Sequence, residues 1–201
     1  MPLLVLEGAD GCGKTTQAGR LETRLLAAGR PVRRLREPGG TVLGEAVRGL
    51  LLDPATAACP AAELFGYQLA RAQLCHEVIA PALAAGTWVV LDRFWHSTLA
   101  YQAYGLGLDL ANVRAVVDLA VGPVRPDLAL WLDVPPDQAA ARADARSTRD
   151  RIEARDAAYH QRVYDGYRNM ASQGDLTRID GLGSTDEVAA RIDAAMAALQ
   201  R

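Results

Sequence analysis

The sequence predicts an α/β fold, a five-stranded parallel sheet flanked by helices on both faces, and three observations lead there. Five short apolar runs are spaced along the 201 residues. Longer stretches with helical spacing separate them. A glycine-rich loop lies between the first run and the first helical stretch, where open α/β sheets place ligand-binding turns.

The runs are Leu3–Leu6, Val32–Leu35, Trp88–Leu91, Leu128–Leu132 and a weaker one at Leu176–Ile179. Their length and nearly continuous apolar character suit strands buried on both faces. Between them, Leu21, Leu25 and Leu26 recur at helical intervals, as do Leu64, Leu69, Val78 and Ile79. Val188, Ile192, Ala195, Met196 and Leu199 form a last stripe behind a capping signal at Ser184-Thr185-Asp186-Glu187. Such stripes are expected to be core. Strand alternating with helix implies right-handed crossovers, so the residues just after Leu6, Leu35, Leu91 and Leu132 should meet at one sheet edge. No repeat, low-complexity tract or linker divides the chain, and residues 1–201 read as a single domain.

The composition, 50% hydrophobic and 23% charged, is that of a globular protein. With 22 basic and 24 acidic residues, the formal charge of −2 gives no sign of a duplex nucleic-acid binder. The opening residues lack the features of a signal peptide, and no apolar stretch approaches the ~20 residues of a membrane helix. Cys12, Cys59 and Cys75 lack metal-ligand spacing and read as free thiols, so the cytoplasm is the expected compartment. His76, His96 and His160 show neither triad nor metal spacing.

After the first strand comes Gly8-Ala9-Asp10-Gly11-Cys12-Gly13-Lys14-Thr15, a complete G-x-x-x-x-G-K-T. Glycines let backbone N–H groups approach phosphate oxygens, and the following helix adds its N-terminal dipole. Lys14 can reach the β- and γ-phosphates of a bound nucleotide, and the Thr15 hydroxyl can ligate Mg²⁺. The third strand ends in Asp92, a carboxylate at the functional edge that is either a turn former or, with the cradle beside it, a holder of metal-bound water. Together these predict a P-loop NTPase fold, a superfamily and not a reaction.

Four segments in order resemble thymidylate kinases: Glu7-Gly8-Ala9-Asp10-Gly11-Cys12-Gly13-Lys14-Thr15-Thr16, then Arg36-Glu37-Pro38-Gly39-Gly40-Thr41, then Asp92-Arg93-Phe94 with Ser97, Ala100, Tyr101 and Gln102, and finally Asp150-Arg151-Ile152-Glu153. The resemblance runs from Leu3 to about Tyr167 and implies the nucleoside monophosphate kinase form of that fold, with transfer of the γ-phosphate of ATP to dTMP and Mg²⁺ as cofactor. It also implies site roles. Arg93 would hold the dTMP phosphate, as a guanidinium does bidentately. Glu37 and Pro38 would cover the acceptor nucleotide, with Arg48 as a further phosphate contact. Tyr67 and Arg71, four apart on one helix face, would stack on thymine and bond its O4, with Phe65 as a competing aromatic. Thr98, Tyr101 and Gln102 would line base and sugar near Ser97, and Asp10 would bind the 3′-hydroxyl unless it faces outward.

The segment from about 142 to 155 is arginine-rich and reads as a lid that closes over ATP, excludes water and supplies cations to the transferring phosphoryl group. Some members of the family carry a basic residue in the phosphate loop, where this chain has Gly11. The resemblance then places the catalytic cation in the lid, at Arg146 and Arg151, with Arg149 as a third and Arg142 toward ATP. A solvated charged helix face is the plainer alternative. The acceptor phosphate is already anionic, so no general base is required. A kinase on the same scaffold for another acceptor, a different nucleoside monophosphate or a deoxynucleoside, is the near rival. A guanine-specific switch is disfavoured, because no N-K-x-D element is present. The family also implies a homodimer, and the apolar segment Ala61–Ala85 fits burial either way.

Overall fold

The computed structural model describes residues 2–144 and 150–197. Its sheet contains β1 (Leu3–Glu7), β2 (Val32–Arg36), β3 (Trp88–Asp92), β4 (Leu128–Asp133) and β5 (Thr177–Asp180). The order is β2-β3-β1-β4-β5, and every neighbouring pair is parallel. The five strands expected from the apolar runs are present, extended mainly by one polar residue at the C-terminal end. Central β1 and β3 are buried throughout, whereas the edge strands Val-Arg-Arg-Leu-Arg and Thr-Arg-Ile-Asp are largely exposed or half-buried. This is why the edge strands carry the weaker apolar signal.

Alternate residues of each central strand feed two cores. Leu3, Val5, Val89, Leu91 and Trp131 pack with α3 (Pro60–Leu74), α6 (Leu110–Val121) and α8 (Ala157–Ser172). Leu4, Leu6, Val90, Leu130 and Leu132 pack with α1 (Lys14–Ala27) and α9 (Thr185–Met196). Each fully buried aliphatic side chain contributes roughly 1.5–3 kcal/mol. The capping box read at Ser184 is formed, with Ser184 and Glu187 exchanging hydrogen bonds at the start of α9.

The remaining helices are α2 (Val42–Leu52), α4 (Ala80–Ala84), α5 (Trp95–Thr98) and α7 (Pro136–Asp144). A π-helical turn, Cys75–Ile79, joins α3 to α4, and another, Leu99–Gly105, continues α5. Two stripe residues expected in the core are on the surface instead. Leu69 is 50% exposed and Leu26 is 56% exposed. Leu69 lies five residues beyond buried Leu64, which turns it well away from the face that Leu64 buries. Leu26 directly follows buried Leu25, about 100° further around α1.

Register brings the functional strand ends together. Leu6 lies opposite Asp92, Glu7 opposite Trp131, and Arg36 opposite Asp92. Among the described residues no helix is long and apolar enough to cross a membrane.

Candidate active site

The phosphate loop turns from β1 into α1. Gly13 caps α1 at φ 99°, a left-handed conformation that a side chain would strain. Gly8 sits where an added Cβ would meet the Leu132 carbonyl at 2.8 Å. Lys14 is 6% exposed, and its Nζ donates to the carbonyls of Gly8 (3.0 Å) and Ala9 (2.8 Å). Cys12 is buried behind the loop, with Sγ 3.7 Å from that Nζ. The Thr15 hydroxyl donates to Asp92 Oδ2 at 2.7 Å. A hydroxyl and a carboxylate side by side form an all-oxygen pair that suits a hard divalent cation. No cluster of three or more His, Cys, Asp or Glu among the described residues could hold a metal unaided. A cation at Thr15 and Asp92 would therefore complete its shell with phosphate and water, the usual habit of Mg²⁺.

Beside the loop stands Arg93. Its φ of 71° makes it the non-glycine residue with left-handed backbone among those described, which costs on the order of 1–3 kcal/mol. The strain is offset by neighbours that fix both sides of the turn. Arg93 N–H donates to Leu6 O at 2.9 Å, and Phe94 N–H donates to Glu7 Oε1 at 2.8 Å. The same Glu7 carboxylate, fully buried, accepts from Ser97 N–H (3.3 Å), Ser97 Oγ (2.6 Å) and Tyr167 OH (3.0 Å). The guanidinium then points at Asp10 Oδ1 (2.6 Å), Gly8 O (2.9 Å) and Tyr101 OH (3.2 Å), and lies 5.0 Å over the Tyr101 ring. Burial pushes the Asp10 carboxyl up, but the charges of Arg93 and Lys14 outweigh it and hold the group well below the usual carboxylate range.

Further along, Arg71 commits all five of its N–H bonds to protein: Glu37 Oε2 from Nε (2.8 Å) and Nη2 (2.6 Å), Gln68 Oε1, Thr98 Oγ1 and Phe94 O. Thr98 Oγ1 also accepts from Gln68 Nε2 at 3.0 Å, so its own proton is the group it has to offer. Burial raises the Glu37 carboxyl, opposed by Arg71. Arg48 Nη1 donates to Pro38 O at 3.0 Å. A cavity of about 320 Å³ runs from the phosphate loop to this cluster. Asp10, Gly11, Gly13, Lys14, Thr15 and Thr16 line one end, and Glu37, Pro38, Arg48, Tyr67 and Arg71 the other. Asp92, Arg93, Ser97, Thr98, Tyr101 and Gln102 also line it, as do Asp150, Ile152 and Glu153 of the fourth motif.

The family model described as thymidylate kinase matches residues 6–192. Among similar proteins, the thymidylate kinase of Synechococcus sp. (strain JA-2-3B'a(2-13)) is 49% identical over 193 residues, covering 94% of this chain and 91% of that one. That of Deinococcus radiodurans is 43% identical over 195 residues, covering 96% and 95%. A crystal structure of thymidylate kinase from Ehrlichia chaffeensis superposes with a TM-score of 0.79 at 30% identity, covering 97% of this chain and 98% of that one. The chain belongs to the thymidylate kinase family. It is thus an ATP-dependent nucleoside monophosphate kinase by family, with phosphorylation of dTMP as the family reaction.

Some residues nominated by the thymidylate kinase motifs are placed differently from expectation. Arg151 does not line the cavity. Its Nε donates to Leu51 O at 2.8 Å and its Nη2 pairs with buried Glu63 at 2.8 Å. An unpaired carboxylate at 0% exposure is costly, and that is the physical reason this guanidinium is drawn away from the phosphates. Arg71, expected to bond a base carbonyl, has no N–H left for one in this arrangement. Arg142, on α7, reaches Gly181 O at 3.3 Å. Arg146 and Arg149 lie outside the described residues. Of the two candidate aromatics, Tyr67 lines the cavity, whereas Phe65 is 59% exposed. Glu7, Glu63 and Tyr167 were not nominated as site residues, and all three stand directly behind residues that were. Glu7 alone had a signal, an acid at the end of a fully apolar strand.

Proposed function

We propose that this chain, acting as one domain in the cytoplasm, transfers the γ-phosphate of ATP to dTMP, giving dTDP and ADP for dTTP synthesis. The observation that carries the proposal is one continuous cavity with a phosphate loop at one end and a fixed guanidinium, Arg93, at its middle. Two anions must meet end to end for this reaction, and those are the groups that attract them.

Backbone N–H groups from Gly8 to Thr16 hold the ATP phosphates, and Lys14 exchanges the Gly8 and Ala9 carbonyls for phosphate oxygens. Thr15 and Asp92 would hold Mg²⁺, which when bound neutralises charge on the β- and γ-phosphates. Arg93 takes the acceptor phosphate, exchanging part of its contact with Asp10, which is then free to accept from the sugar hydroxyl. Tyr67 covers the base, and Arg48 lies near the acceptor phosphate.

The base edge is read by the Thr98 hydroxyl as donor and Gln102 as acceptor, a pair complementary to O4 and N3–H of thymine. Arg71 acts by fixing Thr98 and Glu37. Arg142 faces the ATP side. With Arg151 paired to Glu63, the cation for the transferring group falls to Arg146, and closure of the lid over it excludes water.

The working unit is a homodimer. Six large apolar side chains, Val42, Leu43, Leu50, Phe65, Leu69 and Leu119, are exposed on α2, α3 and α6, with α3 packed against both of the others. Light scattering on the purified protein checks this.

An ADP-release assay with ATP, Mg²⁺ and each of dTMP, dUMP, dCMP, UMP and AMP tests the reaction. The highest kcat/KM is expected with dTMP, and preference for AMP or dCMP would overturn the acceptor assignment. In the same assay Lys14→Ala is expected to lose about 3–4 kcal/mol of transition-state stabilisation, mainly in kcat. A near wild-type rate would remove Lys14 from the cradle.

A further inference from the structure

Glu63, on α3, has a fully buried carboxylate outside the residues that line the cavity. It is shared by three partners. Gln102 Nε2 donates to Oε1 at 3.0 Å, Arg155 donates to Oε1 (3.3 Å) and Oε2 (2.6 Å), and Arg151 pairs with Oε2 at 2.8 Å. Apolar residues of similar volume would fill this space without desolvating any charge, so the cluster calls for a reason beyond stability.

Gln102 supplies it. This side chain is 2% exposed, lines the cavity, and ends in an amide whose donor and acceptor halves are nearly the same shape. Which half faces the cavity is decided by the partner behind it. As the common partner of two guanidinium groups, Glu63 is an anion, and an anionic carboxylate only accepts. It therefore takes Nε2 and leaves Oε1 as the atom that Gln102 presents. Among the described residues none donates to that oxygen.

We infer that Glu63 is a positioning residue for base selection: it locks the Gln102 amide so that an acceptor oxygen faces the nucleobase. The inference rests on the reading of this cavity as the acceptor-nucleotide site. Thymine carries N–H at ring position 3, and a fixed acceptor bonds it. Cytosine carries a lone pair there, and the same oxygen repels it. Because Arg151 and Arg155 come from the C-terminal turn of the 142–155 segment, the same carboxylate also ties that turn to the base wall.

The test uses the full-length enzyme and compares kcat/KM for dTMP and dCMP by ADP release. Glu63→Gln puts an amide, which both donates and accepts, behind Gln102 and frees the latter to turn. The dTMP-to-dCMP ratio is expected to fall about tenfold. Arg155→Met leaves the Gln102 bond and one ion pair in place and is expected to keep the wild-type ratio. The double variant Glu63→Gln with Arg155→Met keeps the net charge of the cluster at +1, because an amide with one guanidinium replaces a carboxylate with two. It is expected to follow Glu63→Gln, and it gives the ratio if the single variant does not fold. An unchanged ratio with both rates reduced together would show a purely structural role and overturn the inference. A wild-type enzyme that favours dCMP, or turns over neither acceptor, would remove the reading beneath it as well.

Discussion

Two carboxylates, Glu7 and Glu63, are both at 0% exposure, yet the molecule satisfies them in different ways. Glu7 accepts from two backbone N–H groups, Phe94 and Ser97, and from the hydroxyls of Ser97 and Tyr167. Burial pushes its carboxyl up, but His96, Ser97 and Arg93 outweigh that and hold it below the usual value. Glu63 instead accepts from the ends of two long side chains, Gln102 and Arg155, and forms an ion pair with a third, Arg151. The first cluster is anchored to backbone at the sheet edge, where it fixes the strained turn that aims Arg93. The second joins α3, Gln102 on the cavity wall and the turn at residues 151–155. Under the proposed function, rigid aim of Arg93 at a phosphate needs the former. A link between parts that would shift if the proposed lid closes needs the latter.

The largest effect expected from breaking this contrast is Glu7→Leu. It leaves buried donors at Phe94 and Ser97 without their acceptor, and stability measured by urea unfolding is expected to fall by about 3–5 kcal/mol. A loss below 1 kcal/mol would mean that the turn holds itself. Next, Arg93→Ala is expected to reduce kcat/KM for dTMP about 100-fold while the KM for ATP changes less than about threefold. Equal weakening of both nucleotides would place Arg93 on the donor side.

Arg151→Ala sharpens the second half of the contrast. Glu63 keeps Arg155 and Gln102, so the expected destabilisation is only about 1–2 kcal/mol, with little change in KM for dTMP. A collapse of kcat without loss of stability would instead show that Arg151 leaves Glu63 and acts at the phosphates.

The smallest effects concern pH. Glu37 is raised in the folded protein, so the folded state holds a proton that the unfolded chain has released. Its contribution is complete below about pH 4.3 and is lost as pH climbs through the folded value. Asp10 is lowered, so its contribution is present above about pH 3.9 and is lost on acidification. Urea midpoints across pH are expected to lose the alkaline-going decline in Glu37→Gln and to flatten on the acid side in Asp10→Asn. Unchanged slopes would remove these groups from the linkage.

The sheet was legible because central strands are apolar on both faces, and the phosphate loop because its spacing is fixed by geometry. The position of Asp92 and Arg93 at the end of β3 was legible from the apolar run before them. The supporting layer was not. Glu7 and Tyr167 are 160 residues apart, and Glu63 and Arg155 are 92 apart; residue spacing carries no record of such pairings. For the same reason Arg151 read as a free cation and Arg71 as a base donor: their residue types are right, but buried acids at Glu63 and Glu37 claim their donors. The exposed Leu69 read as core because an apolar stripe does not say whether sheet or surface covers it.

The most direct test is a crystal structure with dTMP and a non-hydrolysable ATP analogue bound together. The dTMP phosphate is expected on Arg93, facing the γ-phosphate across Lys14, with the Glu7 hydrogen bonds unchanged. The two nucleotides lying apart, or dTMP seated away from Arg93, would contradict the account.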